Sequence, residues 1–198
     1  MTDRETIQVY DQKATEYADL TAGIADDPRL FDFIARLPDG GSVLDLGCGP
    51  GTYASALAEA GLHVSAWDAS AEMVRLARSN PRVDAAQRVF DDLDTLEPQS
   101  LDGVWANFSL LHAPRSTLPD HLDAITRALR PGGVFVIALK EGHGESRDRI
   151  GRLYTYCTEP ELRRLVTDAG LTPVRTDRGR DKGLSGEDAD WISLTCLR

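Results

Sequence analysis

The sequence predicts an α/β domain whose parallel sheet is covered by helices on both faces, and three observations predict it. From residue 43 onward, short apolar runs alternate with helical patterns, the signature of successive βαβ units. The first run, Val43-Leu44-Asp45-Leu46, empties straight into Gly47-Cys48-Gly49-Pro50-Gly51 and then a helical stretch. The last two runs, 171–176 and 191–197, have only a polar segment between them, which predicts an antiparallel pair at the end of the sheet.

Taken in order, Ile7, Tyr10, Ala14 and Tyr17 recur at helical spacing and predict an amphipathic helix over 4–18. Leu30, Phe31, Ile34 and Leu37 predict a second over about 27–37, stopped by Pro38-Asp39-Gly40-Gly41. Strand 43–46 leads to helix 52–60, closed by Gly61, and strand 63–67 to helix 70–79, ended by Asn80-Pro81. A third strand is expected at 86–90 and a fourth at 103–106. Leu122, Ile125 and Leu129 mark the buried face of a helix over 118–129, with Thr117 and Asp120 expected to cap its start. Pro131-Gly132-Gly133 ends that helix and feeds the fifth strand, 134–139. Thr158-Glu159-Pro160-Glu161 reads as a capping box before a helix striped by Leu162, Leu165, Val166 and Ala169 and closed by Gly170.

A length of 198 residues with 41% hydrophobic content fits one domain with a full-sized core. Residues 1–38 are expected to form an N-terminal helical cap and 40–197 the α/β core. The balance of 22 Lys+Arg against 32 Asp+Glu, a net −10, argues against nucleic acid as a partner, since phosphate backbones call for a basic surface. Arginines gather at Arg147, Arg149 and Arg152 and at Arg175, Arg178 and Arg180, but Asp148, Asp177 and Asp181 interrupt both groups. The apolar run 134–139 is far too short to span a bilayer, and Asp3, Arg4, Glu5, Asp11, Lys13 and Glu16 leave no signal-peptide core near the start. A cytoplasmic monomer or homodimer with no membrane partner is the expectation. Cys48, Cys157 and Cys196 are far apart and form no C-x-x-C pair, so neither a disulfide framework nor a metal site is expected.

Parallel α/β sheets bind ligands beyond the carboxyl ends of their strands, at the switch point beside the first strand. The glycine loop stands there with the spacing G-x-G-x-G, whereas a dinucleotide loop has G-x-G-x-x-G. Its glycines let the backbone approach a ligand closely, and the following helix offers free N–H groups. With Asp45 two residues before Gly47, the run resembles motif I of the class I S-adenosylmethionine-dependent methyltransferases. The resemblance covers about residues 40–197 and includes the Pro131-Gly132-Gly133 turn and the order of elements. It implies a Rossmann-like three-layer sandwich with a seven-stranded, mostly parallel sheet whose last strand is antiparallel. It also implies S-adenosyl-L-methionine as cofactor and methyl transfer to a small-molecule acceptor. The alternative is a domain that binds or senses the cofactor without catalysis. Asn107-Phe108-Ser109 lacks the acidic pair suited to aminopropyl transfer, and it lacks the prolines of methyltransferases acting on nucleobase amines.

The resemblance assigns cofactor-binding residues one handle at a time. Gly47, Cys48, Gly49 and Gly51 approach the amino-acid end, with Asp45 complementing its ammonium; Cys48 is the loop's small residue and not a nucleophile. Asp68, at the end of the second strand with Ala69 beside it, accepts from the ribose diol. Met73 packs on adenine, while Asp92, counted back from Leu96, and the Leu93 amide meet its edge, with Asp91 standing where the family has glycine. Asn107 opens the segment near the reactive methyl. Methyl transfer from a sulfonium needs alignment and exclusion of water, and a base only where the acceptor must lose a proton. His112 and Tyr17 are the candidate catalytic residues and His143 a third, each of which also fits plain packing. The segment 140–157 is expected to shape an acceptor pocket, with Tyr154 and Tyr156 facing it or belonging to a short strand.

Overall fold

A computed structural model describes residues 3–21, 23 and 26–198. Seven strands form one sheet in the order β3-β2-β1-β4-β5-β9-β8. These are β1 (Ser42–Leu46), β2 (His63–Asp68), β3 (Val83–Gln87), β4 (Leu101–Asn107), β5 (Leu129–Lys140), β8 (Thr172–Lys182) and β9 (Asp188–Leu197). The β3-β2-β1-β4-β5 pairs are parallel, and β9 runs antiparallel to both β5 and β8. The order reverses between β1 and β4, so the loops leaving their carboxyl ends open onto one crevice.

Alternation along the strands builds the three layers. Leu44, Leu46, Val104, Ala106, Phe135, Ile137 and Leu139 face one helical layer, which includes α6 (Leu118–Ala128) and α7 (Glu159–Asp168). Val43, Trp105, Val134 and Val136 face the other, with α3 (Pro28–Ala35), α4 (Thr52–Glu59) and α5 (Ala71–Ala77). Trp105 is fully buried, with Phe33 and Tyr53 packed on it at ring distances of 5.3 Å. Among the described residues no helix is long and apolar enough to cross a membrane.

Several expected elements shift for identifiable reasons. The helix expected over 4–18 breaks at Lys13 (φ −113°) into α1 (Arg4–Gln12), capped by Asp3, and α2 (Ala14–Leu20). The third strand lies at 83–87 and not 86–90, because Val83 and Ala85 are the buried alternating pair; Phe90–Thr95 forms a 3-10 turn. β5 begins at Leu129, which pairs with Leu101 ahead of an irregularity in the ladder. Thr117 does not cap α6, since its hydroxyl bonds the Pro114 carbonyl. Nor does the box at Thr158 close: Glu161 pairs with Arg115, and Glu159 with Arg163 and Arg178. The polar segment 177–190 is mostly strand, because β8 and β9 extend as a hairpin in which Trp191 donates to Asp181 at 2.6 Å. A two-stranded pair, β6 (Glu145–Arg147) with β7 (Leu153–Thr155), emerges from the 140–157 segment.

Candidate active site

The β1 carboxyl end turns through Gly47 (φ +72°), whose N–H, with that of Cys48, donates to the Trp67 carbonyl of β2. A Cβ on Gly47 would lie 2.3 Å from Ser109 Cβ, so the loop and the segment after β4 meet without room for a side chain. Gly49 sits under the Tyr17 ring of α2, while Gly51 (φ +88°) caps α4 and packs against Ala77 of α5. The buried Cys48 thiol is pushed well up by desolvation, which leaves it inert.

Two carboxylates stand at the strand tips. Asp68 accepts from the Gly49 N–H at 2.9 Å and from the Ser70 N–H at 2.8 Å, one bond to each oxygen. Desolvation nevertheless raises its pKa to about 6. Asp45 is 2% exposed, its Oδ2 has no partner among the described residues, and burial followed by repulsion from Asp68 lifts its pKa to about 8. Nearby, Ser70 Oγ donates to Asp11 of α1 at 2.6 Å and caps α5 at Met73.

Past β4 the chain turns through Phe108 at φ +56°, an unusual conformation for a bulky residue. Here Asn107 Oδ1 and Ser109 Oγ are buried without partners among the described residues. His112 Nδ1 lies 2.6 Å from the Leu153 carbonyl, which only accepts, so Nδ1 carries the proton. Nε2 then accepts from the Tyr10 hydroxyl at 2.8 Å, and Arg152 donates to that hydroxyl at 2.9 Å while pairing with Asp148. Burial pulls the His112 pKa down to about 3 and pushes the Tyr17 phenol up.

Two adjoining cavities lie among these groups. The narrower is walled by Leu46, Gly47, Gly49, Trp67, Asp68, Ala69, Ser70, Met73, Arg88 and Phe90. The wider, of about 700 Å³, is walled by Cys48, Tyr53, Lys140, Tyr154 and Trp191 among others. Tyr10, Tyr17, Gly47, Gly49, Asn107, Phe108 and His112 line both and form the junction. Of the residues singled out in the sequence, Asp45, Gly51, Asp92 and Leu93 line neither cavity. Asp92 instead accepts from the Val89 N–H at 2.9 Å, and Leu93 is core. His143 is exposed away from both, and Tyr156 packs beside Tyr154 without lining either. Tyr10, Arg152, Arg29 and Trp191 belong to the site and were not singled out. Tyr10 reads as a helix stripe, and the others become neighbours only through tertiary contacts.

A family model for a methyltransferase domain matches residues 43–133, from β1 through the turn inside β5. The chain belongs to the class I S-adenosylmethionine-dependent methyltransferase family. Trans-aconitate 2-methyltransferase of Azoarcus sp. (strain BH72) is 36% identical over 151 residues, covering 72% of this chain and 54% of that protein. The ubiquinone biosynthesis O-methyltransferase of Xylella fastidiosa (strain 9a5c) is 35% identical over 119 residues, covering 57% and 48%. The chain thus spans about half the length of these curated relatives. The crystal structure of Burkholderia thailandensis 1,6-didemethyltoxoflavin-N1-methyltransferase, with bound 1,6-didemethyltoxoflavin and S-adenosylhomocysteine, matches with a TM-score of 0.77 at 28% identity. That match covers 100% of this chain and 91% of that one.

The family's cofactor is S-adenosylmethionine, and the residues of this methyltransferase domain fit it. Partnerless buried acceptors at Asp45, Asn107 and Ser109 suit a cationic group. The cradle at Gly47 and Gly49 would be filled by any Cβ, and Asp68 presents a carboxylate at the β2 tip.

Proposed function

We propose that this protein transfers the methyl group of S-adenosylmethionine to a small-molecule acceptor. The observation that carries this reading is the meeting of two cavities at one junction: a narrow one bordered by the glycine loop and Asp68, and a wide one walled by aromatic and charged side chains. The cofactor supplies an activated methyl on a good leaving group. Asp68 holds the ribose diol through the lone pairs left by its two backbone bonds. Asn107 complements the ammonium at the junction, and Asp45, behind the cavity wall, does so through water. Met73 and Phe90 offer apolar faces to adenine; Asp92 and Leu93 sit behind that wall and act by shaping the 90–95 turn.

At the junction, neutral His112 holds the Tyr10 hydroxyl and Tyr17 covers Gly49. Both nitrogens of His112 are engaged and the Tyr17 phenol is hard to ionise, so these residues position the acceptor and exclude water; neither stands ready as a base. The N-terminal helices α1 and α2, through Tyr10 and Tyr17, act as a cap over the junction, within a single domain. Curated relatives that methylate trans-aconitate or ubiquinone precursors support a small organic acceptor. The test joins calorimetric titration of S-adenosylmethionine to detection of S-adenosylhomocysteine formed with a metabolite panel. Binding with acceptor-dependent turnover supports methyl transfer. Binding with neither turnover nor slow cofactor hydrolysis would favour a sensing domain.

A further inference from the structure

The chain is acidic overall, at net −10, yet Arg29, Lys140, Arg152, Arg175, Arg178 and Lys182 all border the wider cavity. Asp26, Asp27, Asp177 and Asp181 border it too, so what matters is which cations have no carboxylate paired with them. Most of these cations are spoken for: Arg29 pairs with Asp27, Arg152 with Asp148, Arg175 with Asp177 and Arg178 with Glu159. Lys182 has no ion pair among the described residues, but it is exposed; Lys140 is different. It ends β5, is half-buried, and among the described residues no carboxylate stands within ion-pair distance of its ammonium, which rests 3.9 Å above the Tyr154 ring.

A half-buried ammonium without an ion-pair partner is costly: desolvation, then repulsion from Arg152, lowers the Lys140 pKa, against the weaker pull of Asp148 and Glu187. Its position is fixed by the sheet. Lys140 is the cross-strand partner of Trp191, so the two side chains project from one face. Trp191 in turn meets Phe108 of the junction edge-on at 5.9 Å, and the Arg29 guanidinium lies 4.7 Å from the Trp191 ring with its Nη1 lacking any partner. An ammonium without an ion-pair partner and a spare N–H therefore share a wall with the junction at which both cavities meet.

We propose that the acceptor is a small carboxylic acid, bound as its carboxylate by the Lys140 ammonium with its body against Phe108 and Trp191. This rests on the methyltransferase reading and names the acceptor class of that same site.

The test uses the complex with S-adenosylhomocysteine and, as probes, benzoate, cinnamate and trans-aconitate, each beside its neutral amide. Melting temperature and tryptophan fluorescence report binding to the wild type, Lys140→Met and Lys140→Arg. At least one acid should bind, with its amide weaker by about tenfold or more, and Lys140→Met should weaken that acid by about tenfold or more. Lys140→Arg, which keeps the charge, should retain the preference for acid over amide. No acid outcompeting its amide in the wild type, or the same preference persisting in Lys140→Met, would overturn the proposal. The wild-type contrast between acid and amide stands even where a variant fails to fold. Titration of S-adenosylmethionine into the same samples separates the two claims. If the donor fails to bind, the methyltransferase reading falls, while the acid–amide contrast, repeated without S-adenosylhomocysteine, still decides the Lys140 site.

Discussion

Replacing Asp45 with Asn should make the cofactor-free protein more stable and the cofactor complex weaker. In the folded chain the Asp45 pKa is raised from 3.8 to about 8, first by burial and then by Asp68. The folded state therefore keeps a proton that the unfolded chain releases. Its contribution falls as pH rises from about 4 and levels off near 8. At pH 7, about 3 units above the unfolded value and still below the folded one, the contribution lost corresponds to about 4 kcal/mol at roughly 1.4 kcal/mol per unit. A gain on the order of 2–4 kcal/mol is therefore expected for Asp45→Asn. Urea unfolding of both proteins between pH 4 and pH 8 measures it. The variant's advantage should be near zero at the acid end and grow towards neutrality, while its affinity for S-adenosylmethionine drops by about tenfold or more. Equal stability at every pH, or a variant that binds the donor normally, would refute the reasoning that Asp45 is a strained carboxylate held for a cation.

Gly47→Ala should lower stability by about 2 kcal/mol or more, from its left-handed backbone and the collision with Ser109, and Ser109→Gly in the same chain should recover part of the loss. Thermal melts of the single and double variants would show no recovery if the clash is not the cause. Donor affinity should weaken below about pH 6, approaching tenfold per pH unit, because protonated Asp68 loses acceptor capacity; calorimetry across pH 4.5–8 giving a flat profile would contradict this. His112→Ala should cut turnover by about 10–100-fold while sparing donor affinity, as loss of a positioning residue would; undiminished turnover would demote it to packing.

The sheet was legible because βαβ alternation and the G-x-G-x-G loop are local signals. Val43, Leu44 and Leu46 announce a strand covered on both faces, and the absence of a helix before 191–197 announces the reversed strand. The length of the β8–β9 hairpin was not legible, since its outer half is polar and is held by contacts such as Trp191 with Asp181. The third strand was misplaced because Val83-Asp84-Ala85 gives too short an alternation to outweigh the apolar Val89-Phe90 pair. At the site, Asp68 could be read from its place after an apolar strand. Asp92 could be counted but its hydrogen bond to Val89 could not. Tyr10, Arg152 and His112 come from three distant stretches, and only folding shows that they share one hydrogen-bond network.

The central claim is that S-adenosylmethionine sits between the glycine loop and the β2 carboxylate. Calorimetric titration of the donor into wild type and Asp68→Ala tests it most directly. Saturable one-to-one binding, weakened by more than about 1 kcal/mol in the variant, is the predicted result. Donor uptake that is absent from the wild type, or indifferent to the loss of Asp68, would contradict it.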